Sequence, residues 1–514
     1  MKKCCLIPLL CIVFGAFAQR YDNHWIMGMG TYFSPSGDSL NGNICFDFNE
    51  EQDLNIRIDT SIKADFDRFN ITISNSSGDS VLFYTNGVRF WNNRNEVMQN
   101  GDSLGWGWFY TDYGPAYYYY GTPIPRSGLC FPTTDENIFN YIYIYIDTTP
   151  SIEGLVNATQ LRWTQIDVEE DRLTFKDSII SESILGSSIT ATKDASGKGW
   201  WIMGAHWLDN CFTQLHIDSN SQVTSRNICY NLFSFPTNKY LSNHFSTDGK
   251  QFIYVTSGRI NFGTPEETWF SGVQLFDFDR CTGELTLSDS FTCDILIDSM
   301  LYPYALETSS SGRFLYVFCG SLILQYDLWA SDVKNSMKIV AHVTGNQVPF
   351  PSDLFQAQLA PDGKIYINSG SVNYAYSVIE NPDIEGMGCN VVQDIIVPEQ
   401  KYLPGFPNFP NYRLGPIDCD SDSVGIEEVV KPKMRIYPNP ATTQVWVAYD
   451  GIRWERHSIT FHVYDALGRT MYTKQLPQYS ALHNIDVRAW SRGVYFYTIQ
   501  SDGVGIGSGK FVKD

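Results

Sequence analysis

Ser246-Thr247-Asp248-Gly249-Lys250-Gln251-Phe252-Ile253-Tyr254-Val255 is the stretch that decides the fold. Its first half is a turn: Ser and Asp bond the local backbone, and Gly supplies a positive φ that other residues resist. Its second half is β-branched and aromatic, as a strand requires. The unit recurs. Ser309-Ser310-Ser311-Gly312-Arg313 precedes Phe314-Leu315-Tyr316-Val317-Phe318, and Ala360-Pro361-Asp362-Gly363-Lys364 precedes Ile365-Tyr366-Ile367. Looser copies are Asn75-Ser76-Ser77-Gly78-Asp79 before Val81-Leu82-Phe83-Tyr84, and Asp194-Ala195-Ser196-Gly197-Lys198 before Trp200-Trp201-Ile202-Met203. The clear copies, beginning at 246, 309 and 360, lie 63 and 51 residues apart. That length holds a four-stranded sheet, and a lone sheet cannot cover both its faces, so such units stack around an axis. The expected body is all-β, a β-propeller of six to eight blades with seven preferred; an array of β-sandwiches is the alternative.

Composition agrees. The 514 residues exceed one ordinary core, so at least two domains are expected. Tyr (31) and Phe (32) are abundant, which favours strands. At the N-terminus, Lys2 and Lys3 precede an apolar stretch from Leu6 to Phe17 and a small-x-small site, Ala16-Phe17-Ala18. This is the pattern of a signal peptide, cleaved after Ala18. Leu10 before Cys11 argues against a lipoprotein site. No later segment reads as a transmembrane helix: the apolar runs are short and broken by Asp, Gly or Pro. The formal charge is −20, and loss of Lys2 and Lys3 leaves 34 basic against 56 acidic residues, or −22. A charge of that sign disfavours nucleic acid and anionic membranes as partners.

Three of the 12 cysteines (Cys4, Cys5 and Cys11) leave with the signal peptide, so the nine that remain cannot all pair internally. Cys211 and Cys229 flank a hairpin and lie equidistant from its turn, a position suited to a cross-strand disulfide; buried free thiols are the alternative. No Cys/His group has zinc spacing, so no metal site is assigned.

The repeats resemble the WD40-like "PDG" units of secreted Bacteroidota proteins. Segments 82–104, 276–285, 359–367, 377–390 and 405–415 (GFPNFPNYRLG) carry the resemblance further. It implies an architecture and an export class, and no reaction. After residue 415 the chain changes: 416–433 is acidic and poor in aromatics, as a linker is. Asp418, Asp420 and Asp422 alternate as in a calcium loop, but the Gly and distal Glu of an EF-hand are missing. The expected cofactor is none, a structural calcium ion being the one candidate. From 434 to 514, alternating apolar residues between Gly and Asp turns describe a small antiparallel β-sandwich. Pro438-Asn439-Pro440, Gly468-Arg469, Gly493-Val494-Tyr495 and Lys510 follow in the order that resembles the type A sorting domain of the type IX secretion system. The resemblance implies recognition by the outer-membrane translocon, removal by its surface peptidase, and a secreted or cell-surface location. The expected layout is therefore a signal peptide (1–18), a propeller body (19–415), a linker (416–433) and a sorting domain (434–514).

Chemistry is sparse in the body. No G-x-S-x-G elbow, H-E-x-x-H helix or P-loop occurs, and no catalytic residue is assigned. The body histidines His24, His206, His216, His244 and His342 are scattered. The outstanding segment is Gly105-Trp106-Gly107-Trp108-Phe109-Tyr110, running through Tyr113 to Tyr117-Tyr118-Tyr119-Tyr120. Trp106, Trp108, Phe109, Tyr110 and Tyr113 are the candidate ligand residues, because ring faces held between Gly and Pro can stack on sugars or anchor a protein. The competing interpretation is an aromatic hairpin wedged between sheets. Two functions follow: a non-catalytic surface module that binds glycan or protein, or a propeller hydrolase or lyase whose channel gathers dispersed His, Asp and Glu.

Overall fold

The computed structural model describes residues 19–514 apart from 31–41, 50–53, 148–156, 208–210, 231–237, 261–263, 265–266, 300, 345–351, 401, 403, 420–432, 438–439, 451–458, 476–481 and 502–503. The signal peptide, most of the linker, Pro438 and Asn439 lie outside the described residues. The chain divides into two compact units, Met1–Leu328 with Lys334–Asp418, and Trp329–Val333 with Cys419–Asp514. Among the described residues no helix is long and apolar enough to cross a membrane.

The first unit is a succession of antiparallel sheets. His24–Met29, Gly42–Asp47 and Asn55–Asp59 form the first, and Phe69–Ser74, Val81–Thr85 and Phe90–Asn92 the second. A seven-stranded sheet then runs from Gly128–Pro132 to Val223–Cys229. Its middle strand, Arg172–Lys193, pairs with Asn157–Asp167 over Arg172 to Leu185 and with Trp200–His206 over Leu185 to Lys193. One long strand is thus the outer edge of one four-stranded meander and the inner edge of the next. Three further four-stranded sheets begin at Asn238, Ala305 and Ala357. With the long sheet counted as two, seven meanders follow one another, the strand order of a seven-bladed β-propeller.

The turn units explain why. All five occupy the same place, the hairpin between the first two strands, in chain order, of a meander. Gly78, Gly197, Gly249, Gly312 and Gly363 take φ of 88°, 69°, 71°, 74° and 82°. In three of them Asp holds the turn: the backbone N–H of Lys250 donates to Asp248 (3.1 Å), that of Lys364 to Asp362 (3.0 Å) and that of Gly199 to Asp194 (3.1 Å). A sixth turn at the same place, Thr133 to Asn137, has no glycine; Asp135 accepts from the Asn137 N–H at 3.0 Å instead. Aromatic rings fill the space between sheets. Trp25 meets Tyr366 and Phe406, and Phe46 meets Tyr376 at 5.3 Å, so the first sheet packs on the last.

The final body segment, 405–415, touches nearly every sheet. Phe406–Pro407 pairs in parallel with Phe69 and Asn70. The Asn408 amide donates to the carbonyls of Gly128 (3.0 Å) and Ile189 (3.2 Å), Asn411 to Thr247 O, the Tyr412 hydroxyl to Cys130 O, and Arg413 to Asp22. A resemblance motif is here an interior tie between innermost strands.

Cys211 and Cys229 face each other in register and form the expected disulfide. Cys45, Cys130, Cys293, Cys319 and Cys389 are free and buried. Asp65 is also buried, and accepts the Gly30 N–H at 2.5 Å. Burial raises its carboxyl to about 6. A carboxyl raised in the folded state holds its proton more tightly there, so the penalty is absent below the unfolded value and complete above about 6. Asp65→Asn keeps the acceptor and removes the charge. Urea melts should show the variant more stable by about 3 kcal/mol at pH 7, with the difference vanishing near pH 4; a pH-independent difference would refute the assignment.

The C-terminal unit is a two-sheet sandwich. Lys433–Tyr437, Gln444–Asp450 and Leu482–Asp486 form one sheet. Thr470–Gln475, Ile459–Tyr464, Gly493–Ser501 and Val504–Lys513 form the other, in that order. Val445, Phe461, Val463, Ile485, Tyr495, Ile499 and Phe511 make its core. Gly509 carries no side chain because a Cβ there would strike the Tyr497 hydroxyl.

Candidate functional site

The aromatic segment folds as a wide helical turn, Phe109–Tyr113, followed by a short helix, Tyr117–Tyr120, and not as a hairpin. Its glycines let it lie flat. Gly105 takes φ 62° and approaches the Tyr143 ring, and a Cβ on Gly107 would collide with the Tyr145 hydroxyl. The Gly105 N–H donates to Asp177 at 3.0 Å.

The candidate residues separate into two layers. Phe109 and Tyr110 are buried, with Val88 and Ile146, and burial pushes the Tyr110 hydroxyl well above its ordinary range. They support the segment from beneath, beside a cavity of about 10 Å³, room for one water. Trp106 and Trp108 are 43% and 40% exposed. Trp106 is held: it stacks on Tyr110 (5.8 Å, 13°) and meets Tyr118 edge-on at 5.1 Å. Tyr118 is fixed in turn by the Arg89 guanidinium, 3.9 Å from its ring centre, and by its hydroxyl donating to Asp102 at 2.9 Å. Tyr113 closes the wide turn.

The structure adds residues that no sequence signal marks. In Arg172–Lys193 the register slips between Thr174 and Ser178, and again between Ile179 and Ser181. Phe175 and Asp177 there take φ of 47° and 60°, a strained conformation for a bulky aromatic. Phe175 is 61% exposed and stacks on Trp163 at 5.4 Å. Asp177 ties this bulge to the aromatic segment through Gly105 and the Tyr143 hydroxyl, and Lys176 donates to Asp102 O at 2.5 Å. Asp177 thus links the strand that carries this strained, exposed ring to the segment that carries the two exposed tryptophans.

Four of the five body histidines, His24, His206, His216 and His244, lie in separate polar contacts. His24 lies 3.5 Å from Asp47, His216 3.1 Å from Asp194 and His244 3.0 Å from Glu307; buried His206 contacts Thr213. Burial lowers the His24 pKa. Asp194 stays below the usual carboxylate range: burial raises it, and hydrogen bonds from His216, Ser196 and Gly199 more than offset that. Among the described residues no three His, Cys, Asp or Glu gather as metal ligands. Asp420 and Asp422 lie outside the described residues.

In the C-terminal unit the described motif residues act locally. Gly468 takes φ 77°, and Asp465 accepts the N–H groups of Leu467 and Arg469 and the Arg469 guanidinium. Gly493 opens the strand Gly493–Ser501, Tyr495 is buried with its hydroxyl on Ser491 O, and Pro440 and Lys510 are exposed.

No curated protein sequence matches this chain. Among solved structures it is similar to the extracellular domain of a one-component system from B. thetaiotaomicron, at 10% identity and TM-score 0.37, covering 97% of this chain and 55% of that one. It is also similar to a prolyl endopeptidase (11%, TM-score 0.27, 75% and 50%) and to Cellvibrio cellulosa α-L-arabinanase complexed with arabinohexaose (10%, TM-score 0.24, 65% and 96%). The chain spans about half the length of the first two. Residues 435–513 match the secretion system C-terminal sorting domain. That tail directs the protein through type IX secretion to the cell surface or the medium.

Proposed function

We propose that the mature body is a non-catalytic binding module, presented outside the cell, whose ligand surface is the platform of Trp106 and Trp108. The observation that carries this is the two-layer arrangement: exposed indoles above buried Phe109 and Tyr110. A ring already fixed by Tyr110 and Tyr118 loses little freedom when a ligand stacks on it. Its free face suits the C–H face of a sugar, so glycan is the first choice and protein the second. The −22 charge of the mature chain favours neutral or basic ligands. His24, His216 and His244 each meet a different acid, which supports binding over a channel hydrolase or lyase that would need several such groups at one point.

The test is a glycan and protein array on the mature body, followed by titration of the hit. Trp106→Ala with Trp108→Ala should weaken binding at least about tenfold and leave the melting temperature within about 2 °C. Tyr110→Ala, by contrast, should lower the melting temperature, because it empties a core position. Unchanged affinity in the double variant would remove the platform from the function.

A further inference from the structure

The sandwich sheet led by Gly493–Ser501 departs from the rule that one face is buried and the other polar. Tyr495, Tyr497 and Ile499 point inward to the core. The alternate positions should carry polar residues, yet they begin Val494 and Phe496, which are 39% and 46% exposed. Register extends this face sideways. Val494 lies opposite Val512, and Phe496 lies opposite Tyr464 on one side and Lys510 on the other. Val512 is exposed, and Tyr464 is half-buried against the ring of His462. The result is an apolar patch from three adjacent strands with a cation at its rim.

Folding does not account for this patch. The described motif residues other than Pro440 and Lys510 have local tasks: Gly468 and Arg469 build a turn on Asp465, and Tyr495 fills the core. Large apolar side chains kept in water on a regular sheet indicate a contact with another molecule. The match over 435–513 supplies the occupant, since a sorting domain acts by being recognised by protein of the secretion machinery. We infer that the outward face formed by Tyr464, Val494, Phe496 and Val512 is the surface through which the domain docks on that machinery, against a partner apolar at its centre and acidic opposite Lys510.

The experiment uses the full chain expressed in its own secretion background and scores the ratio of periplasmic to surface protein. Val494→Thr with Phe496→Thr preserves strand propensity and strips the patch; the ratio should rise at least tenfold. Lys510→Glu, an exposed polar exchange, should raise it severalfold. Met387→Ser, an exposed position in the body and outside the sorting domain, should leave it unchanged. Melting of each purified chain separates docking from folding. Normal delivery of the double variant overturns the inference. If the double variant melts early, Lys510→Glu decides, and its normal delivery overturns the inference equally.

Discussion

Replacing Glu307 with alanine should cost the body about 3–5 kcal/mol, because it strands a buried cation. Arg126 is buried among the innermost strands, and its guanidinium donates to the carbonyls of Leu306 (3.0 Å) and Ala357. Glu307 stands 3.6 Å from it, takes His244 at 3.0 Å on its other oxygen, and accepts the N–H groups of Thr308 and Leu359, each at 3.1 Å. Burial alone would raise the Glu307 carboxyl, but His244 and Arg126 more than offset it and keep it below the usual carboxylate range. Burial also lowers the Arg126 pKa, which indicates how badly its charge tolerates the site. Alanine leaves that charge without its counter-ion, and His244 and two N–H donors without this acceptor. Glu307→Gln keeps part of the hydrogen bonding and should cost less. Arg126→Met combined with Glu307→Ala should be milder than the sum of the single changes. Urea melts at pH 7 give the comparison; a loss under 1 kcal/mol for Glu307→Ala would show that water reaches the cluster.

The second large effect concerns delivery. Deleting 434–514 removes the segment that matches the sorting domain and should hold the protein in the periplasm, with surface signal near background. The ties of 405–415 to the innermost strands remain, so the truncated body should melt as the intact one does. Mass spectrometry of the mature wild-type protein should find a C-terminus within or near 416–433. Surface delivery of the truncated chain at the normal level would refute the sorting role.

Much of the architecture was legible because it rests on local rules. A glycine that must adopt positive φ, followed by an aromatic and β-branched run, marks a hairpin whatever surrounds it, and five such units fall at equivalent hairpins. Cys211 and Cys229 could be paired because register in a short hairpin is fixed by its turn. What sequence hid is non-local. The turn at 133–137 uses Thr133 and Asp135 where the others use Gly, so no pattern announced it. Phe109 and Tyr110 look like their neighbours Trp106 and Trp108 in sequence, and only the packing of Val88 and Ile146 separates buried from exposed. The bulge at Phe175 is one of several register slips in its strand, and its strain is invisible without dihedral angles.

The tie at 405–415 also fixes when the body can become whole. Asn408 reaches partners 280 and 219 residues earlier, Asn70 reaches Gly405 across 335, and Arg413 reaches Asp22 across 391. Contacts so distant along the chain make loop closure the slow step of folding. A chain emerging N-terminus first can form individual meanders early, but it cannot join its first sheet to its last until nearly all of the body has appeared. The body of such a chain locks only when its own trailing end arrives. The slowest folding phase should therefore be sensitive to Asn408 and Arg413, and nearly indifferent to the hairpin closed by Cys211 and Cys229.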